Sequence, residues 1–222
     1  MKTLTIIPAR AGSLRLPNKN TRLLGNLPLI EHSMKYALRN KAVAGDIVIT
    51  TDDEQIKKLA IPYDLRVIHR PEELASDTAT TASVMTHALE EMEKEYDWVI
   101  LLQPTNPLRP MNLLSDAFAK AKKLQVDSLM TVTRSYHKLG KITEERFQPF
   151  NYKMGQRTQD LEPLYYENGL LYITKASLIK KGIILGEHNY PYIVEHPYAR
   201  VDIDEEIDFK FAQFILTQYP NE

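Results

Sequence analysis

The sequence predicts one α/β domain on a mainly parallel sheet, and three observations carry that expectation. Short apolar runs alternate with stretches of helical periodicity along most of the chain, and strands separated by helices join through right-handed crossovers. One run, WVILLQP at residues 98–104, is apolar nearly throughout, as a strand covered on both faces requires. The chain has 222 residues and no cysteine, so one large core without disulfide staples has to hold it.

The elements follow in order. Residues 3–8, TLTIIP, read as a buried strand ended by Pro8. Residues 28–39 place Leu29, Ile30, Met34, Ala37 and Leu38 at helical spacing, with Pro28 in the first turn. DIVITT, 46–51, is a second strand, and Asp52 and Asp53 suit the start of a helix over EQIKKLA. LRVIHR, 65–70, is a third strand. A strong helix covers 78–95, capped at Asp77 or Thr78. After the fourth strand, 98–104, come a helix over MNLLSDAFAKAKKLQ and a strand at 127–135. From about 136 to 166 the periodicity fails, and this polar, aromatic stretch reads as an inserted arm or hairpin excursion. NGLLYIT, 168–174, returns to strand, followed by a helix over KASLIKKG, a last strand near YARVDI and a closing helix over EIDFKFAQFILTQ. No shift in composition marks a second unit, so residues 1–222 read as a single domain with one insertion.

Composition excludes several functions. A formal net charge of -1 gives no global reason to bind nucleic acid or an anionic membrane. Without cysteine there is no thiol catalysis and no Cys-based zinc site, and the six histidines show no metal-ligand spacing. The N-terminal apolar run is too short for a signal peptide, and no stretch approaches a membrane span. A cytoplasmic protein is expected.

In parallel α/β sheets, ligands sit at the carboxyl ends of the strands. Arg10, Gly12, Ser13, Arg15, Lys19 and Asn20 fall after the first strand. His69 and Arg70 follow the third, Gln103, Thr105, Asn106 and Arg109 the fourth, and Asp202 and Asp204 lie near the last. The first loop lacks both the Walker A and the GxGxxG patterns, because Gly12 is its single glycine. It can still hold phosphate through backbone N–H groups and through its Arg and Lys heads; the alternative is a solvated basic loop. His69 reads as structural, and Arg70 as either an ion-pair partner or a ligand cation. Prolines stiffen LQPTNPLRP, where Gln103 could read an amide-like base edge or merely occupy a rigid turn. Asp202 and Asp204 share one face of an extended segment, a donor pair suited to Mg²⁺ beside phosphate oxygens. The alternative is that Asp204 caps the following helix.

Six segments in order carry a family resemblance: IIPARAGSLRLPNKN, TTDD, RPEELASD, LQPTNPLR, ENGLLYI and VDIDEEIDF, spanning residues 6 to 209. Together they resemble the bacterial acylneuraminate cytidylyltransferases, that is, CMP-sialic acid synthetases and their relatives. The family counterparts read IIPARGGSKGIPRKN, STDD, RPxELASD, LQPTSPLR, ENGAIYI and DID. The resemblance implies a three-layer nucleotide-diphospho-sugar transferase (Rossmann-like) fold and a homodimer joined through the arm. It implies that the anomeric hydroxyl of a nonulosonic acid attacks the α-phosphorus of CTP, releasing pyrophosphate and giving a CMP-sugar for lipopolysaccharide or capsule. Arg10, Ser13 and Lys19 would then face the triphosphate, while Asn20, Arg70, Thr81 and Gln103 hold cytidine and ribose. Asp202 and Asp204 would carry Mg²⁺, for which Mn²⁺ can substitute, and Asp204 would help deprotonate the sugar hydroxyl. Arg10, Lys19 and Asp204 form the implied catalytic set; Lys141, Arg157 and Gln103 would meet the sugar.

Three departures from the family pattern stand out. Leu14 replaces a lysine, with Arg15 the next cation along; Asn106 replaces a serine; Tyr166 replaces an arginine before ENG. Neuraminate, legionaminate, pseudaminate, KDN and an 8-amino-octulosonate all stay open as acceptors. So does a catalytically silent nucleotide-binding module on the same fold.

Overall fold

The computed structural model describes residues 1–13 and 15–220. In chain order the first half comprises β1 (Thr3–Pro8), β2 (Leu23–Leu24), β3 (Leu27–Pro28), α1 (Leu29–Arg39), α2 (Lys41–Ala44), β4 (Asp46–Thr51), α3 (Glu54–Ala60), β5 (Arg66–His69), α4 (Glu72–Ala75), α5 (Thr81–Glu90) and β6 (Trp98–Leu101). The second half comprises α6 (Leu113–Leu124), β7 (Ser128–Ser135), β8 (Gly140–Thr143), β9 (Arg146–Pro149), β10 (Leu164–Lys175), α7 (Ala176–Ile179), β11 (Asn189–Ile193) and α8 (Glu206–Gln218).

Seven strands form the central sheet in the order β11-β7-β10-β6-β1-β4-β5. The pairs β1–β4, β1–β6, β4–β5 and β11–β7 are parallel; β10 runs antiparallel to both β6 and β7. The arm explains the reversal. Between β7 and β10 the chain makes the β8–β9 hairpin and no crossover helix, so it returns in the opposite sense.

Strand alternation sends side chains to both faces. Leu4, Ile6, Val48, Val99 and Leu101 pack with Met85 and Leu89 of α5. Ile7, Ile49, Trp98 and Ile100 pack with α1 and with Leu114 and Phe118 of α6. Helices therefore cover the sheet on both sides, in the three expected layers. A third apolar cluster joins Leu16 of the first loop, Leu108 after β6, Val201 and Ile203 before α8, and Phe209, Ala212 and Ile215 of α8. This cluster draws the basic first loop and the acidic segment together, although they are far apart in sequence.

Several boundaries differ from expectation. The last strand is Asn189–Ile193, not YARVDI. NYPYI pairs only with β7 at the sheet edge, where Pro191 is tolerated. Pro197–Arg200 forms a 3₁₀ turn, and Val201 and Ile203 turn to the third cluster instead. The α5 cap is Thr80, whose side chain accepts from the Ser83 N–H, rather than Asp77 or Thr78. Asp53 caps α3 through the Gln55 N–H, which leaves Asp52 to accept from the Ala11 N–H at 2.8 Å. β10 begins at Leu164 and carries a register break between Glu167 and Tyr172.

That break is built around Asn106, one of the departures. Gly169 lies there at φ +75°, and a Cβ would sit 2.5 Å from the Asn106 Oδ1, so only glycine fits. Asn106 is 1% exposed and donates to the carbonyls of Asn168 and Val201 at 2.9 and 3.0 Å. It thus ties β10 to the segment leading into Asp202. Asn106→Ala strips both buried carbonyls of this donor, and a loss of about 2–3 kcal/mol is expected in a denaturant titration. A loss below about 0.5 kcal/mol, the scale of ordinary surface substitutions, would contradict this role.

Candidate active site

A cleft of about 650 Å³ opens at the carboxyl ends of β1, β5 and β6. Arg10, Ser13, Arg15, Lys19 and Asn20 line it from the first loop, Arg70 and the stretch through Asp77 from the next wall, and Thr81 from the start of α5. Gln103 to Thr105 and Asp204 complete it. All seven residues expected at the nucleotide, together with Asp204, are therefore brought to one cavity.

The first loop is held from several sides. Its Ala11 N–H donates to Asp52, and the Asn20 amide donates to the Arg10 carbonyl at 3.2 Å. Asn18, at φ 55°, starts a 3₁₀ turn over Lys19–Thr21. That turn sends Lys19 inward: its side chain is 11% exposed, and Nζ donates to the Ile203 carbonyl at 2.8 Å and to Asp204 Oδ1 at 3.1 Å. Arg15 Nη2 reaches Asp204 Oδ2 at 2.6 Å. Asp204 therefore bridges two cations. Leu14, the departure beside Arg15, lies outside the described residues.

The cap alternative for Asp204 does not hold. Glu205 caps α8 in a box with Asp208, and Asp208 accepts from the backbone N–H of Asp204 at 3.0 Å. The Asp204 side chain is left to the cleft. Burial pushes its carboxyl pKa up, but the hydrogen bond and charge of Lys19, with Arg15, outweigh this and hold it below the usual carboxylate value. Asp202 does not line the cleft. Partial desolvation and the Asp204 charge push its carboxyl up, against a hydrogen bond from Thr105. The two acids thus feel one another, and among the described residues no larger acid or histidine group is arranged for a metal. A pair of this kind fits Mg²⁺, which takes one or two carboxylates and keeps water and phosphate oxygens.

Arg70 is 4% exposed and donates to the Thr50 carbonyl at 2.8 Å. Its Nε has no protein partner among the described residues. Burial pushes it down to about 10; Asp52 opposes the shift and Arg10 adds to it. A buried guanidinium at the cleft wall, with no carboxylate bonded to it among the described residues, leaves its positive charge to act on an anion in the cleft. Arg10 pairs with Asp77 and donates to the Ala75 carbonyl. Asp77 was read from the sequence only as a cap candidate; the signal for its place was its position in RPEELASD.

Behind Gln103 stands Arg109. Its guanidinium is 3% exposed and donates to the Gln103 and Leu170 carbonyls at 2.8 and 2.6 Å. It fixes the loop and does not reach the cleft. Lys141, in the β8–β9 hairpin opposite Gln148, and Arg157, paired with Asp160 at 2.8 Å, lie on the arm and outside the cleft of their own chain.

The layered fold and a cleft at the strand ends, where cations face the Asp204 carboxylate, define a nucleotidyltransferase. The chain belongs to the cytidylyltransferase family, whose profile matches residues 4–218. It is 32% identical to the CMP-N,N'-diacetyllegionaminic acid synthase of Legionella pneumophila, over 97% of both chains. It is 30% identical to the N-acylneuraminate cytidylyltransferase of Streptococcus agalactiae over 94% of its own length, but spans about half, 52%, of that longer relative. Among solved structures, CMP:2-keto-3-deoxy-manno-octonic acid synthetase complexed with CTP shares the fold, with a TM-score of 0.72 and 16% identity over 98% of this chain and 99% of that one.

Proposed function

We propose that the protein transfers CMP from CTP to the anomeric hydroxyl of a nonulosonic acid, releasing pyrophosphate. The observation that carries this is the junction of Lys19, Arg15 and Asp204 inside a cleft also lined by Arg10, Arg70 and Gln103. Phosphoryl transfer needs charge neutralisation and in-line positioning more than a covalent nucleophile. Arg10 and Lys19 neutralise the leaving pyrophosphate. Arg70, Asn20, Thr81 and Gln103 hold the nucleoside. Asp202 and Asp204 would hold Mg²⁺, or Mn²⁺ in its place, which supplies further positive charge to the phosphates. The triphosphate competes with Asp204 for Lys19 and Arg15, and so frees its carboxylate oxygens for the metal and for the hydrogen of the sugar hydroxyl.

The arm supports a homodimer. Ile142, Phe147, Phe150 and Met154 are 52–80% exposed on it, an apolar surface that water disfavours and a second copy would cover. Lys141 and Arg157 would then serve the sugar in the partner's cleft. No described helix is long and apolar enough to cross a membrane, in keeping with a cytoplasmic supply of activated sugar for a surface glycan.

The test is pyrophosphate release from CTP and Mg²⁺ with a panel of nonulosonic acids and an octulosonate. Release with at least one nonulosonate, faster than with the octulosonate, is expected. A faster octulosonate reaction would move the acceptor class. No release with any acid, from a protein that binds CTP, would leave only the silent module.

A further inference from the structure

A second cavity, of about 350 Å³, lies between the outer face of α1, the turn joining β2 to β3, the loop after β6 and the end of α8. Its chemistry is one-sided. His32, Lys35 and Arg39 line it from one face of α1, at spacings of three and four, and Arg109 lines it from the loop. No Asp or Glu belongs to the lining among the described residues. Lys35 and Arg39 make no ion pair among those residues. The neighbouring Glu31 does not line the cavity; it accepts a hydrogen bond from Tyr63, and its charge is felt by His32.

Arg109 adds an independent observation. It is 3% exposed, yet every partner among the described residues is neutral: the Leu170 and Gln103 carbonyls, Ser33 Oγ at 3.0 Å, and the Tyr36 ring with its centroid 5.6 Å away. Buried charges are ordinarily paired, because desolvation without a counter-charge is costly. Three hydrogen bonds leave two of the five guanidinium N–H groups without a partner among the described residues. Among the described residues, then, a buried cation without a carboxylate and two cations without an ion pair share this wall, and no negative charge answers them.

We propose that this cavity binds a small phosphate-class anion, free phosphate or a compact phosphomonoester, through Lys35, Arg39 and Arg109. Arg and Lys are the donors suited to phosphate oxygens, and the volume admits a phosphate with a small organic group. The site is separate from the nucleotide cleft but not isolated from it. Arg109 Nη2 holds the Gln103 carbonyl, and the Gln103 residue lines the cleft. An anion on Arg109 redistributes the hydrogen bonds of that guanidinium, so its occupancy is coupled to nucleotide affinity, reciprocally.

Calorimetric titration of inorganic phosphate into the full-length protein, with CTP saturating, tests this. Saturable one-to-one binding is expected. The double variant Lys35→Ala/Arg39→Ala, with its thermal unfolding checked, should weaken binding at least tenfold. Lys123→Ala/Lys181→Ala, which removes equal charge from exposed positions elsewhere, should leave it unchanged. Phosphate should also shift the CTP Kd at least twofold in the unmodified protein and not in the Lys35/Arg39 variant. Absence of saturable binding, unchanged affinity in the Lys35/Arg39 variant, equal weakening in the control, or a CTP Kd indifferent to phosphate would overturn the proposal.

Discussion

Asp204→Ala is expected to reduce turnover by on the order of 10³-fold or more, the scale seen when a preorganised charge is removed from a transition state, with the fold intact. Asp204 takes Lys19 on one oxygen and Arg15 on the other, and it is one of the two acids suited to the metal. The fold does not depend on it, because Glu205 and Asp208 cap α8 and the third apolar cluster holds the segment. Its ion pairs are partly exposed, at 41% for the carboxylate, and such pairs contribute little stability. Asp204→Asn keeps the shape and removes the charge, so it should fail almost as badly. Steady-state kinetics beside circular dichroism check both. Turnover within tenfold of the unmodified protein would remove Asp204 from the chemistry.

Lys19→Ala is expected to lower kcat/KM for CTP by roughly 10²–10³-fold, about 3–4 kcal/mol of transition-state stabilisation. Lys19 is the least exposed partner in the ion-pair network of the cleft, at 11%, against 34% for Arg10 and 60% for Arg15. Charge interactions strengthen as water is excluded, so this ammonium should count for more than the guanidinium of Arg15. Its bond to the Ile203 carbonyl also places it relative to the acidic segment. Lys19→Arg should recover part of the loss, since it returns the charge but not the compact head. Measuring kcat and the CTP KM separately decides between binding and chemistry; values within threefold for Lys19→Ala would exclude it from both.

The strands around the cleft were legible because β1 and β6, and β4 between β1 and β5, are short apolar runs that no solvent-facing segment would carry. Their carboxyl ends follow from parallel topology, and with them the positions of Arg10, Lys19, Arg70 and Gln103. β11 was not legible, because NYPYI has few aliphatic residues and a proline. YARVDI misled because Val201 and Ile203 are apolar for a different partner, the third cluster beneath α8. Pairings between distant loops were also beyond local pattern. Arg10 meets Asp77 across 67 residues, and Arg15 meets Asp204 across 189. Only the assembled sheet puts those loops side by side. The same limit applies to Lys141 and Arg157: the family resemblance implied a sugar contact, but the arm carries them outside the cleft of their own chain.

The central claim is that CMP passes intact from CTP to an acceptor sugar, and the fate of the α-phosphorus tests it most directly. The acceptor-panel reaction, run with CTP labelled at that atom and resolved by mass spectrometry, should place the label in a CMP-nonulosonate in proportion to pyrophosphate released. Label found only in unreacted CTP or in free CMP, with an active acceptor absent from the product, would contradict it.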